Sequence, residues 1–515
     1  MKPKHSKPNR LLRASPRHRI RLLTTFVAVL LGLVLPLVAS EVAGAAIIKL
    51  TKPVQISLTF DDGNADQMTA LPVLQSHHMN GTFFIISGSV GAPNYLTQAN
   101  LATISSEGNE IGGHTVSHPD LTSVPQAEAL RQICNGRATL ASWGYQVTDF
   151  AYPYADLNAS TEADVKTCGF NSARGLGDIQ SSHGCTGCAT TESVPPADPY
   201  DLAAVDEFDS TWSLAQMEQT VTTAESKGGW LIFTFHHFGT CGAACDPEIT
   251  LSDFDSLLTF IQGQALKGVS VKTVHQVIGG TVKPIVTEPP STNTTLPNPS
   301  LEASTTGDGF PDCFMPAGYG TNTPTWSRTT DAHTGTYSQT VSVTGYSDGD
   351  AELLPTFDLG SCTPVVQAGN SYTLSIWYKS TAITQFSMYT RTAAGFWSYW
   401  TSGPWLAPAS TWTQATFTTA AVPAGAVGIS FGLALIANGS LTTDDYAISG
   451  PGVTSSTTTT PSVKTGTPLL LNPKSVVTAP AGNTVTPAKP WGTHAKPTVP
   501  RTAPGKVIAA PALSD

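Results

Sequence analysis

Along Val54-Gln55-Ile56-Ser57-Leu58-Thr59-Phe60 every second residue is apolar, the period of a strand with one buried face. The run ends in two adjacent carboxylates, Asp61 and Asp62, and Gly63 permits a sharp exit. Further short apolar runs predict strands at Gly81-Thr82-Phe83-Phe84-Ile85-Ile86, Glu110-Ile111-Gly112-Gly113, Phe150-Ala151-Tyr152, Trp230-Leu231-Ile232-Phe233-Thr234-Phe235 and Val269-Ser270-Val271-Lys272-Thr273. Helical patterning fills 126–143, 161–168, 214–227 and 252–267, and each of these stretches is followed by a glycine suited to a left-handed stop: Gly144, Gly169, Gly228 and Gly268. Strand–helix alternation over 46–282 predicts a parallel α/β barrel or sheet. In such folds chemistry gathers where strands end, and Asp61, Asp62, His114 and His236 all fall at predicted strand C-termini.

The pattern changes twice after that. Residues 283–300 carry Pro284, Pro289, Pro290, Pro297 and Pro299 among Thr, Ser and Asn, and read as a linker. Over 301–450 the helical signal vanishes. Short alternating runs such as Tyr372-Thr373-Leu374-Ser375-Ile376-Trp377-Tyr378, separated by turn residues, predict an all-β sandwich. The Thr- and Pro-rich tail, 451–515, has too little apolar content to fold and is expected to be disordered.

The first 22 residues hold eight cations (Lys2, Lys4, Lys7, Arg10, Arg13, Arg17, Arg19 and Arg21) and no acid, followed by an apolar run to Ala39 and small residues beyond. Residues 1–45 read as an export signal, with cleavage after Ala45, or else as an uncleaved anchor. The chain is then secreted, or held at the cell surface if the leader stays attached. The formal charge is -10 over 515 residues, and removal of the leader with its cations and Glu41 leaves the remainder near -17. A nucleic-acid partner is excluded by that balance. Eight cysteines suit an oxidising compartment, and even counts on each side of the linker imply pairing within domains. Cys185, Cys188, Cys241 and Cys245 also admit a four-thiolate zinc reading, against which stands the usual fate of exported thiols.

His114-Thr115-Val116-Ser117-His118 brings two imidazoles four residues apart, close enough on a turn or helix to share one ion. Alone, such a pair is commonly two exposed side chains, and a strand-ending Asp-Asp commonly caps a turn. Together on successive strand ends they form a three-ligand metal site with an open position, plus one carboxylate free to act as base. Spacing does not say which carboxylate does which.

Thr59-Phe60-Asp61-Asp62-Gly63 and His114-Thr115-Val116-Ser117-His118 resemble the first two motifs of the polysaccharide deacetylase family, also called the NodB-homology family or carbohydrate esterase family four. The resemblance covers roughly 47–279 and implies a distorted β/α barrel that removes acetyl groups from polysaccharides, usually from N-acetylglucosamine. It implies Asp61 as general base and Asp62, His114 and His118 as ligands of one divalent ion, zinc above cobalt or another metal. Ala151-Tyr152-Pro153-Tyr154 resembles the family's third motif, with the Tyr154 amide offered to a developing oxyanion. Ala151 stands where the family has an arginine; Arg174, at the next strand end, either supplies that charge or is a plain surface arginine. Leu231-Ile232-Phe233-Thr234-Phe235-His236 resembles the last motif, with His236 as general acid.

In the predicted sandwich, Trp397, Tyr399, Trp400, Trp405 and Trp412 suit a sugar-binding surface, with about half of them expected in the core. The combined expectation is a distorted β/α barrel followed by an all-β jelly-roll sandwich, acting as a metal-dependent N-deacetylase on chitin-like glycans, peptidoglycan or poly-N-acetylglucosamine. The alternatives are an O-acetyl esterase of xylan, or a binding protein whose barrel has lost activity.

Overall fold

The computed structural model describes residues 52–239, 248–305, 307 and 309–454. The leader, Cys241, Cys245 and the tail beyond Thr454 lie outside the described residues. No helix among the described residues is long and apolar enough to cross a membrane.

Strands β1 (Val54–Phe60), β2 (Thr82–Ile85), β3 (Glu110–Gly113), β4 (Asp149–Ala151), β5 (Ser172–Arg174) and β6 (Gly229–Phe235) form a parallel sheet in the order β5-β4-β3-β2-β1-β6. The short pair β7 (His237–Phe238) and β8 (Glu248–Ile249) follows, and β9 (Val269–Val271) pairs with the first half of β1. Segment 202–208 closes the ring: Leu202 N donates to Ala173 O on β5, while Val205 N and Phe208 N donate to Ile232 O and Thr234 O on β6, each at 3.0 Å. The expected distorted barrel is the result.

Parallel strands covered on both faces should be apolar throughout, and β2 is buried at every position while β1 has one half-buried residue, Gln55. Val54, Ile56, Leu58 and Phe60 pack outward in the cluster that includes helices α1 (Leu71–Ser76), α2 (Gln98–Ser106), α3 (Gln126–Ser142), α4 (Ala159–Thr167), α5 (Leu214–Glu225) and α6 (Leu251–Gly263). A separate cluster of Phe84, Ala151, Leu202, Ala204, Trp230 and Ile232 fills the interior, with Val274 of α7 (Val274–Ile278). All four predicted stop glycines take positive φ, from +72° to +98°. Cys134 pairs with Cys168, Cys185 with Cys188 and Cys313 with Cys362, so pairing stays within domains among the described residues. The Cys185–Cys188 bond overturns the four-thiolate zinc reading, because a sulfur in a disulfide has no thiolate to offer a metal.

The segment read as a linker is not a loose tether. Arg137, on α3 and 1% exposed, donates to Pro284 O at 2.9 Å and Lys283 O at 2.8 Å, and also to Val147 O and Cys168 O. Asn135 exchanges two hydrogen bonds with the Glu288 backbone. Leu296 already lies in the core of the second domain. That domain pairs two antiparallel five-stranded sheets. One holds β10 (Phe314–Tyr319), β13 (Asp350–Pro355), β18 (Ala426–Leu435), β15 (Thr384–Thr392) and β16 (Trp397–Leu406); the other holds β11 (Thr323–Thr329), β12 (Ser338–Thr344), β19 (Gly439–Ser449), β14 (Thr373–Ser380) and β17 (Ala409–Thr418). Of the five aromatics expected to divide between core and surface, Trp397 is buried, Trp405 is 48% exposed, and Tyr399, Trp400 and Trp412 are half-buried. The first residues of the expected disordered tail are pinned: Tyr372 Oη donates to Pro451 O and Thr454 N to Thr294 O.

Replacing Arg137 by alanine leaves four backbone carbonyls without their donor, those of Val147 and Cys168 buried and those of Lys283 and Pro284 partly buried. At about 1 kcal/mol or more for each, the Arg137→Ala protein should lose roughly 3–5 kcal/mol of unfolding free energy in a denaturant titration. It should also become cleavable by protease within 283–290.

Candidate metal and catalytic centre

Every residue singled out from the sequence stands at the C-terminal mouth of the barrel. Asp61 and Asp62 leave β1, His114 leaves β3, Tyr154 follows β4, Arg174 ends β5 and His236 leaves β6. The backbone turns hard to do this. Asp62, Thr115, His118 and Tyr154 all have φ between +57° and +72°. For a β-branched residue such as Thr115 that conformation is a genuine outlier, and strain of this kind persists only where the surroundings over-determine it.

Asp62 Oδ1 lies 3.4 Å from His114 Nε2 and 3.5 Å from His118 Nε2, and the two imidazole nitrogens are 3.0 Å apart. Among the described residues this is the group of three whose donor atoms all lie within 4.8 Å of one another. His114 Nδ1 bonds to Ala151 O at 2.8 Å, which places the proton there and turns the Nε2 lone pair toward Asp62. Thr115 Oγ1 accepts from His118 N at 2.9 Å and holds the second ligand's backbone. Burial alone would push the Asp62 carboxyl up, yet His114, His118 and His236 hold it well below the usual carboxylate range. Burial pushes His118 down to about 4, the state of a neutral ligand. Burial also opposes charge on His114, but Asp62 and Asp61 outweigh it and raise the group.

The arrangement fits a divalent ion. Asp62 Oδ1 is buried with no hydrogen-bond partner. The two imidazole Nε2 atoms stand 3.0 Å apart, a spacing at which both can turn a lone pair to one point beside Asp62. The separations of 3.0–3.5 Å suit atoms that each sit about 2.0–2.2 Å from one ion.

Asp61 is served by different partners. Arg174, fully buried, donates through Nη2 to Asp61 Oδ1, with the guanidinium 5.0 Å above the Phe84 ring. A surface arginine is thus ruled out for Arg174. It rises from β5, whose residue Arg174 is paired in register with Ala151 on β4, the position without an arginine. Gln67 Nε2 bonds to both Asp61 O and His236 O, the latter at 2.9 Å, and ties the two loops together. His236 Nδ1 faces Glu207 Oε2 at 3.5 Å, and burial lowers its pKa. Tyr154 sets its ring 4.7 Å from that of His118. Glu207 and Gln67 were not read from the sequence. Glu207 lies in the irregular segment 202–208, whose place between β5 and β6 has no periodic signature, and a lone Gln on a short 3-10 turn has none either.

Residues 49–173 match the family model described as polysaccharide deacetylase. The peptidoglycan-N-acetylglucosamine deacetylase PgdA of Listeria monocytogenes is 32% identical over 114 residues, which are 22% of this chain and 24% of that protein. A chitin deacetylase of Colletotrichum lindemuthianum is 29% identical over 142 residues, 26% of this chain and 56% of its own. The chain therefore spans about a quarter to a half of the length of these curated relatives. A family 4 acetyl xylan esterase of Clostridium thermocellum, solved with a cobalt ion, aligns over 43% of this chain and 89% of its own at 16% identity and a TM-score of 0.31.

Burial, with Asp206 and Asp209 beside it, pushes the Glu207 carboxyl up to about 8. The folded metal-free protein then keeps a proton that the unfolded chain releases near about pH 4.3. Its contribution is complete below that pH and is lost as pH rises toward 8. In urea titrations with chelator at about pH 5 and about pH 8, wild type should lose more stability than Glu207→Gln; equal losses would refute the account.

Proposed function

From a chain whose residues 49–173 match the polysaccharide deacetylase family model, we propose a metal-dependent deacetylase that hydrolyses N-acetyl groups of N-acetylglucosamine-containing glycans. Asp62, His114 and His118 are the ligands and Asp61 the base. The observation that carries this reading is the pairing of two environments. One carboxylate, Asp62, faces two imidazole nitrogens with an unpartnered buried oxygen, while its neighbour Asp61 is clamped by Arg174.

A divalent ion held by Asp62, His114 and His118 would supply Lewis acidity toward an acetyl carbonyl and acidify water. Asp61 accepts the proton of the attacking water, and Arg174 holds that carboxylate in place by donating to its Oδ1. The Tyr154 amide serves the oxyanion, a role supported by its turn beside His118. His236 gives its proton to the leaving nitrogen, since an amine departs poorly unless protonated. Its Nδ1 faces Glu207, which leaves Nε2 for the substrate. The basic–apolar leader supports export, and the relatives' names support acetylated wall and chitin-type polymers as substrates.

Acetate release should be measured over chitin oligomers, peptidoglycan, poly-N-acetylglucosamine and acetylxylan. Asp61→Ala should lower it by about 10²–10⁴-fold while zinc stays bound, and chelation should abolish it until zinc is restored. Release from acetylxylan alone would make the protein an O-acetyl esterase. No release from any glycan would favour a binding protein.

A further inference from the structure

The loop that carries both histidine ligands has the sandwich for its outer wall. Val116, between His114 and His118, is 6% exposed. A Cβ added to Gly395, in the turn between β15 and β16, would stand 2.4 Å from Val116 Cγ1 and 3.1 Å from Leu359 Cδ2. The turn thus approaches the ligand loop as closely as backbone allows, at a φ of +99° that itself favours glycine. Gly88, which donates to Val116 O at 2.9 Å, is similarly close-packed, with Ala394 O 2.8 Å from its own Cβ position.

The strap that follows β13 adds hydrogen bonds. Ser117 Oγ donates to Phe357 O at 2.9 Å. Leu359 N donates to Glu128 Oε1 at 2.6 Å, and that same oxygen receives Gln132 Nε2 at 3.0 Å. Gln132 Oε1 accepts from Val116 N at 3.1 Å and from Ser117 N at 3.0 Å, and its Nε2 donates to Ser117 Oγ at 2.8 Å. Arg131 pairs with Glu128 and reaches Ser361 Oγ. The strap is stiff in its own right: the Asp358 carboxylate accepts from Gly360 N, Cys362 N and Thr363 Oγ1, and its carbonyl accepts from Trp397 Nε1. Glu128 and Gln132 are both fully buried in this junction.

We propose that the sandwich is a positioning element of the catalytic centre. Its 357–361 strap and Gly395 turn hold the His114–His118 loop in the strained shape that takes the metal. Zinc affinity of the barrel therefore depends on the second domain. The inference rests on the metal-site reading given above. The physical reason is that the left-handed Thr115 and His118 need surroundings that over-determine them, and the sandwich adds its contacts at Val116 and Ser117 to those the barrel makes through Gln132, Ser87 and Gly88.

The test uses the full chain. Gly395→Val presses on Val116, and Ser117→Ala removes the hydroxyl shared by Phe357 and Gln132. Both should weaken zinc binding, titrated against a chromophoric chelator, by about 10–100-fold, the usual cost of losing an outer partner of a ligand. Both should also shift the visible bands of the cobalt-loaded protein and speed amide exchange at Val116, Ser117 and His118 in the metal-free protein. Ser117→Thr, which keeps the hydroxyl, should retain wild-type affinity. If exchange at these amides speeds up while zinc affinity and the cobalt spectrum match wild type, the proposal is overturned and the metal site stands. If wild type itself takes up neither zinc nor cobalt, the metal reading fails first and this one with it.

Discussion

Two adjacent carboxylates at the mouth of a closed, apolar barrel set the terms for everything around them. Asp61 is 2% exposed and Asp62 4%, and a buried anion needs a partner or it gives up its charge. The chain meets this demand in two different ways a few ångströms apart. A guanidinium rising from β5 neutralises Asp61, and a pair of imidazoles with converging lone pairs makes room for a cation beside Asp62. The proposed division of labour between base and ligand rests on that difference in partners.

Arg174 illustrates how a barrel can relocate a charge without losing it. On β4 the position next to the site is Ala151, which contributes its carbonyl to His114 and no charge. The register pairs Ala151 with Arg174 on the neighbouring strand. The longer reach from β5 is bridged by a side chain that crosses the interior over Phe84 and finds Asp61. A long cation buried in this way is stable because its fork has an anion at one end and an aromatic face along its side.

The second domain changes how the chain should be viewed. A Pro-rich segment between two cores would ordinarily leave them free to move. Here Arg137 and Asn135 fasten its first half to α3, and Asn293 fastens its second half to the sandwich by donating to Ser361 O. Buried Glu128 and Gln132 then occupy the junction itself. A polar, hydrogen-bonded junction of this kind specifies one arrangement, because each member left unpaired would carry a desolvation cost.

Local pattern was enough for most of the elements and for the candidate residues, while their separate roles came from the family resemblance. The alternation in β1, the glycine stops and the strand-end placement of Asp61, Asp62, His114 and His236 depend on neighbours in sequence, so they could be read residue by residue. Residue type and spacing marked Asp61, Asp62, His114 and His118 as candidates, and the choice between the two carboxylates came from the family resemblance. Tertiary structure decided the rest. Arg174 could be a surface residue or the partner of Asp61 until strand register brought it inward. The roles of Glu207, Gln67, Gln132 and Glu128 carry no signature because each depends on a partner from another element: His236 for Glu207 and Gln67, the His114–His118 loop for Gln132 and Leu359 for Glu128. The docking of the linker joins residues 146–153 positions apart, and that of the sandwich against the histidine loop joins residues 240 apart in the Ser117–Phe357 bond. Contacts of that span arise only once the backbone has closed on itself, and no short window of residues encodes them.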